Sequence, residues 1–137
     1  MKKLFKVNRS SENVDIAILL ARAGIAVLML THGISKIALF SETPIQFMDI
    51  MGLGSEMSLG LAIFAEVGCS ALILLGLGTR IAVIPLIITM LVAVFMVHSG
   101  DPFAKQEMGL HYLLVYMMLL LTGSGKYSLD TLITAKR

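Results

Sequence analysis

Residues 57–77 read MSLGLAIFAEVGCSALILLGL and contain a single charged residue, Glu66. Such a run can cross a bilayer as one helix, because a spanning helix needs about 20 mainly apolar residues. Three further stretches approach that length, at residues 16–37, 81–97 and about 107–123. Helices satisfy their own backbone hydrogen bonds in lipid, so we predict an all-α fold, an integral membrane four-helix bundle.

The composition excludes several other classes of protein. Of the 137 residues, 57% are hydrophobic and 15% are charged, whereas soluble domains carry about 25% charged residues. A net charge of +2, with no basic block longer than two residues, predicts no nucleic-acid partner. Cys69 is the single cysteine, so the chain can form no internal disulfide or CxxC pair, and a cofactor or partner must carry any electrons.

The distribution of Lys and Arg predicts the orientation. With four spans, residues 1–13 form a leader, residues 14–132 the membrane domain and residues 133–137 a tail, and both ends lie on one side. That side carries eight basic residues against two, Lys36 and Lys105, on the other. Because basic residues concentrate in cytoplasmic loops, we expect both termini in the cytoplasm. The eight are Lys2, Lys3, Lys6, Arg9, Arg80, Lys126, Lys136 and Arg137.

The loop between the first two predicted spans allows two interpretations. Ile45, Met48 and Met51 follow each other at near-helical spacing, which is compatible with a short helix lying in the membrane interface. An ordinary loop with a few apolar residues explains the pattern equally well.

Charged residues within the spans are the main functional signal, because each is costly in a bilayer. Arg22 and Glu66 lie in the first two spans and differ in depth by about 9 Å at 1.5 Å per residue. We predict that both face the bundle interior and interact. Such a pair either fixes helix register or includes a proton-handling carboxylate. Lys36, at the end of the first span, is expected to extend to the outer interface.

Several polar residues are expected in the outer half of the bundle. Glu66 and His32 are the candidates for proton handling, and the candidate cofactor-binding residues are Arg22, His32, Lys36, Glu66 and His111. A quinone head group is the preferred cofactor, because histidine and carboxylate exchange protons with its oxygens. We predict no metal site, since no two histidines are four residues apart. His98 near an interface needs no special role, and Gly24, Gly60 and Gly68 are expected at close helix contacts.

The chain resembles the DoxX family of small four-span membrane proteins. The matching pieces are Arg22, HGISK at 32–36, LGLAIFAEVGCSALILLGLGTR at 59–80, ITMLVAVFMVH at 88–98 and GSGKYSLD at 123–130. Ser124 replaces the usual proline of the family's Gly-Pro-Gly ending. The family has no agreed catalytic residues, so the resemblance carries over only the matched positions Arg22, His32, Lys36, Glu66 and Arg80.

The resemblance implies a role in redox chemistry. Members are associated with a thiosulfate:quinone oxidoreductase and with a membrane complex containing superoxide dismutase and a sulfurtransferase. We therefore expect an inner-membrane accessory subunit of a quinone-linked or oxidative-stress-related oxidoreductase complex. A non-catalytic assembly module and a small-solute transporter are the alternatives. The candidate partners are the lipid bilayer, redox proteins and a second copy of the chain.

Overall fold

The computed structural model describes residues 11–135. The leader up to residue 10 and the last two residues lie outside this range, so part of the charge count concerns undescribed positions: Lys2, Lys3, Lys6, Arg9, Lys136 and Arg137. The described chain is all-α, as predicted. Its helices are α1 Ser11–Ile37, α2 Ser55–Leu75, α3 Thr79–Val97, α4 Phe103–Thr122 and α5 Leu129–Thr134.

Three helices in the described range are long and apolar enough to cross a membrane. They are α1 with the 3₁₀ turn that follows it at Ala38–Ser41, α2, and α3. α4 has 20 residues, but it is not among the three because its first half holds Lys105, Gln106, Glu107 and His111. That α4 forms a fourth span remains a prediction.

The long helices pack so that each contacts two neighbours. α1 lies against α2 and α4, and α3 lies against the same two helices. The core between them is built from buried residues that include Ala26, Met29, Ile73, Leu86 and Tyr116. Burial of such apolar side chains between helices brings the polar residues on the same faces into the interior.

Close helix approaches occur at glycines other than those predicted. A Cβ atom on Gly33 would lie 2.8 Å from Glu66 Cβ, and one on Gly109 would lie 2.6 Å from Val94 Cγ2. A Cβ on Gly24 would meet nothing within 4 Å. Gly33 therefore lets α1 approach α2 beside Glu66, and Gly109 lets α4 approach α3.

The two ends of the helix assembly differ. The terminal end carries the α2–α3 turn and residues 123–134, while the loop end carries residues 38–54 and 98–102. Gly76 and Gly78 adopt left-handed conformations at the terminal end, with φ of 70° and 58°, and close a tight antiparallel connection between α2 and α3. At the loop end, residues 42–54 form no helix, so this segment is a loop.

Two helices contain wider π-type turns, α2 midway along its length and α3 at its loop end. One spans Phe64–Cys69 within α2 and includes Glu66, and the other spans Ala93–Val97 at the end of α3, directly before His98. Such turns are frequent at functional sites, because they change the direction in which the following side chains project.

Candidate functional site

A lysine and a glutamate form the centre of the loop-end site. Lys36 lies in the last turn of α1, and its Nζ contacts both carboxylate oxygens of Glu66 at 2.5 Å. The Glu66 side chain is only 3% exposed and that of Lys36 is 28% exposed. Opposite charges at hydrogen-bond distance offset part of the cost of taking each from water. Lys36 thus turns inward to Glu66, and its expected extension to the interface is wrong.

Arg22 is buried as predicted, but its pairing with Glu66 is wrong. Its Nη1 donates to the carbonyls of Ile73 at 2.7 Å and Leu74 at 2.8 Å, and its Nη2 donates to that of Tyr127 at 2.7 Å. The last carbonyls of a helix have no partner within the helix, so the end of α2 is a favourable place for a guanidinium. Lys36 lies roughly 21 Å farther along α1, at 1.5 Å per residue, and reaches Glu66 instead.

Two cavities meet at the Lys36–Glu66 pair. The polar cavity, of about 150 Å³, also includes His32, Lys105 and Tyr112 in its lining. The apolar cavity, of about 370 Å³, lies between the loop and helices α2 and α3. Lys36, Glu66 and His98 line both cavities. The apolar cavity is lined further by Phe47, Ile50, Met51, Leu53, Leu61, Ile88, Val92 and Val97, among others.

The remaining predicted histidines lie in different surroundings. The His32 ring meets Tyr112 edge to face, with centroids 5.8 Å apart, and lines the polar cavity. His111 is 71% exposed, lies 4.0 Å from Glu107 Oε1 and lines neither cavity. The structure therefore brings His32, Lys36 and Glu66 to one site and leaves Arg22 and His111 outside it.

His98 is a site residue that the sequence did not single out. Its Nδ1 lies 2.7 Å from Asp101 Oδ2, and Gln106 Nε2 donates to the His98 carbonyl at 2.8 Å. The hydrogen bond from His98, together with the nearby Lys105 ammonium, lowers the pKa of Asp101 below its ordinary value. The available signal was an Asp three residues after a His in a short turn. It was missed because both residues lie between the predicted spans, where polar residues are expected.

The terminal end forms a second polar cluster, and its groups are engaged with one another. Asp130 accepts from the Gly78 amide at 3.0 Å through both carboxylate oxygens, and its own amide donates to the Gly76 carbonyl at 3.1 Å. A cavity of about 320 Å³ beside it includes Arg80 and residues 122–125 in its lining. Arg80 donates to the Leu121 carbonyl at 3.1 Å. Arg22 and Asp130 thus hold the 123–130 segment against the α2–α3 turn.

Neither end presents a cluster of metal ligands. Among residues 11–135, no group of three or more His, Cys, Asp or Glu side chains is placed to hold a metal ion. Cys69 is a free, buried thiol. The loop-end site offers a lysine, a carboxylate and histidines, which can form hydrogen bonds and exchange protons.

Comparisons with known proteins agree with the pattern of residues. The DoxX family model matches residues 17–99. An Escherichia coli (strain K12) protein named "Inner membrane protein YqjF" is 32% identical over 128 residues, which cover 89% of this chain and 95% of the relative. A Bacillus subtilis (strain 168) protein named "Putative oxidoreductase CatD" is 32% identical over 121 residues, covering 88% and 89%. No solved structure shows a significant match. From the family match and the apolar helices, the chain belongs to the DoxX family.

Proposed function

We propose that this chain is an integral inner-membrane protein that serves as an accessory subunit of a quinone-linked or oxidative-stress-related oxidoreductase complex. In this proposal α4 is the fourth span and both termini are cytoplasmic, which places the loop end on the outer side. The names of the two relatives support the compartment and the class of chemistry. The observation that carries the proposal is the ion pair of the partly exposed Lys36 with the buried Glu66, at the junction of two cavities.

The residues at this junction suit a quinone. A polar cavity with a buried carboxylate meets a larger apolar cavity, which matches a molecule with a polar head and an apolar body. A quinone supplies two-electron, two-proton chemistry when bound. In this proposal Lys36 would donate a hydrogen bond to an oxygen of the head group, and Glu66 would hold or release a proton beside it.

The electrons must come from elsewhere in the complex. The single thiol is buried, and the described residues hold no group of metal ligands. We therefore assign electron transfer to a partner redox protein, while this chain binds the quinone, orients it and exchanges its protons.

The test is mass spectrometry of the protein purified gently from native membranes, with extraction of small lipophilic molecules. The proposal predicts stoichiometric quinone in the wild type and its loss in Glu66→Gln. Glu107→Gln is the matched control, because Glu107 is 51% exposed and lines neither cavity. Wild-type protein that carries no quinone would reject the proposal.

A further variant separates a lost ligand from a damaged fold. Glu66→Gln leaves the partly exposed Lys36 without its carboxylate, and removing one partner of such an ion pair is destabilising. The double variant Lys36→Met with Glu66→Gln leaves no charge unpaired, so its helix content in detergent should approach that of the wild type. We expect this double variant to accumulate in the membrane and still lack quinone.

An assembly module is the second candidate function, and the lipid-facing surface of α1 favours it. A Cβ on Gly24 would meet nothing within 4 Å, while Leu20, Val27 and Leu28 nearby are more than half exposed. A small residue among exposed apolar ones gives another helix room to approach closely. A stoichiometric protein partner in the same purification, without quinone, would favour this function.

A further inference from the structure

His98 occupies a connecting position at the loop end. Its side chain is 37% exposed, yet it lines both cavities together with Lys36 and Glu66. Its place follows from the chain around it, because α3 ends in the π-type turn Ala93–Val97 directly before it. The His98 amide donates to the Ala93 carbonyl at 2.9 Å, so the residue is held by the end of that turn.

The contacts of His98 determine which ring nitrogen carries a proton. Asp101 is ionised near neutral pH, since the hydrogen bond from His98 lowers the pKa of this carboxyl. An ionised carboxylate can only accept, so Nδ1, 2.7 Å from Asp101 Oδ2, is the donor. In neutral imidazole the other nitrogen, Nε2, then has a free lone pair. Gln106 holds the His98 and Asp101 carbonyls at 2.8 and 3.3 Å and fixes the turn.

We propose that His98 carries protons between the aqueous phase at the loop end and the Lys36–Glu66 pair, with Asp101 as its positioning residue. This inference rests on the proposed function in one respect, since the protons are those that a quinone head group bound beside Glu66 would take up. The His98 imidazolium gives its Nε2 proton to the Glu66 carboxylate through water in the cavities that both residues line. Nε2 then takes a proton from water at the loop end. Each such transfer leaves one proton on Glu66 and returns His98 to its starting state, and no electron is exchanged.

The charges that face His98 are compatible with both directions of transfer. Two ammonium groups, Lys36 and Lys105, and two carboxylates, Glu66 and Asp101, surround it, so the fixed charges sum to zero. The other titratable side chains that line the polar cavity are His32 and Tyr112. Because Glu66 is 3% exposed, it depends on a neighbour for exchange with bulk water. His98 is partly exposed and lines both cavities beside Glu66, whereas His32 and Lys105, which are also exposed, line only the polar cavity.

The test is time-resolved infrared spectroscopy of the full chain in lipid nanodiscs after a rapid drop in pH. The carboxyl band that appears on protonation of Glu66 is identified by its loss in Glu66→Gln. We expect His98→Gln to slow the appearance of this band by roughly 100-fold, within the usual range for a positioned acid or base. In His98→Ala, imidazole added to the buffer should restore the rate. Asp101→Ala should reduce the fraction of His98 with Nδ1 protonated, measured by nitrogen NMR.

His111 provides the matched control. It lies at the same end and 4.0 Å from a carboxylate of its own, but it lines neither cavity, so His111→Gln should leave the rate unchanged. An unchanged rate in His98→Gln, or a wild-type Glu66 band that never appears, would overturn the relay. No quinone is added, and the measured quantity is the rate of Glu66 protonation and not the quinone content. The experiment therefore fails or succeeds independently of the quinone content that tests the proposed function.

Discussion

The molecule buries two charged groups almost equally, and it satisfies them in different ways. Arg22 at the terminal end is 2% exposed and Glu66 at the loop end is 3% exposed. Arg22 is bonded to three main-chain carbonyls and lines none of the three cavities described above. Glu66 is bonded to a partly exposed lysine and lines two of them. Burial of the charge is thus common to Arg22 and Glu66, whereas only Glu66 of the two lines a cavity.

Removal of Arg22 should have the largest effect, because the terminal end depends on it. Arg22→Ala deletes three charge-assisted hydrogen bonds from a buried side chain, so we expect a loss of about 3 kcal/mol or more in the free energy of unfolding. Arg22→Lys should rescue little, since an ammonium lacks the planar fork of the guanidinium. Unfolding in mixed detergent micelles, followed by circular dichroism, measures the loss.

Arg80 provides the comparison for Arg22. It is exposed and donates to one carbonyl, so Arg80→Ala should cost at most about 1 kcal/mol. Equal losses of unfolding free energy for the two arginine variants would show that the terminal cluster does not depend on the buried guanidinium of Arg22 more than on the exposed one of Arg80.

Two glycines at the terminal end should respond differently to alanine. Both have left-handed backbones, but a Cβ on Gly76 would lie 2.6 Å from Arg22 Nη1 and from Ser128 Cβ, while one on Gly78 meets nothing within 4 Å. Gly78→Ala should cost about 1–2 kcal/mol for the conformation alone. Gly76→Ala should cost about 1–3 kcal/mol more through overpacking. Free energies of unfolding for the two variants check this, and similar values would show that the contact with Arg22 relaxes easily.

The loop end has its own matched pair of glycines on α1. A Cβ on Gly33 would lie 2.9 Å or less from Val67 Cγ2 and from two atoms of Glu66, so Gly33→Ala should push α1 from α2 at a cost of about 1–3 kcal/mol. It should also weaken the Lys36–Glu66 contact. Gly24→Ala meets open space and should be neutral or stabilising by up to about 1 kcal/mol. Unfolding measurements test the free energies expected for the two glycine variants. The infrared band of the Glu66 carboxylate tests the Lys36–Glu66 contact, and an unchanged band in Gly33→Ala would show that this contact is not weakened.

The smallest effect should be the acid response of the 98–101 turn. The pKa of Asp101 is lowered from its ordinary 3.8, first by the hydrogen bond from His98. A lowered folded-state pKa means that the ionised carboxylate stabilises the fold above pH 3.8, and this contribution is lost as the pH falls further through the folded pKa. The Asp101 amide donates to the His98 carbonyl, and its protection from hydrogen exchange, relative to the intrinsic rate at each pH, should fall in that acid window. Asp101→Asn should remove this pH dependence, and an unchanged acid profile would contradict the assignment.

Much of the fold followed from the sequence alone, while the partners within the site did not. The apolar runs predicted the all-α class, and the interior placement of Arg22 and Glu66 was confirmed. The error was to pair these two residues. A linear hydropathy pattern assigns Lys36 to an interface because Lys36 stands at the end of an apolar run. The pattern contains no information on the π-type turn that carries Glu66 or on the carbonyls at the end of α2 that accept from Arg22.

The same limit applies to the Gly-rich motifs. Residues 75–80 and 123–130 were recognisable separately, but the double contact of Asp130 with the Gly78 amide makes them one structure. His98 was passed over for a similar reason. Its position suggested an interface, and only the packed helices show that it lines the same cavities as Glu66.

The sequence by itself determined which segments form apolar helices and that Arg22 and Glu66 lie in the interior, because the free energy of transfer into lipid depends on residues that are near one another in the chain. The tertiary structure decided which groups those charges meet and where space remains beside them. Contacts such as Lys36 with Glu66, or Arg22 with Tyr127, depend on the rotation and register of helices that are far apart in sequence. Small changes in that register reassign partners without altering the hydrophobic pattern, so the pattern alone could not identify them.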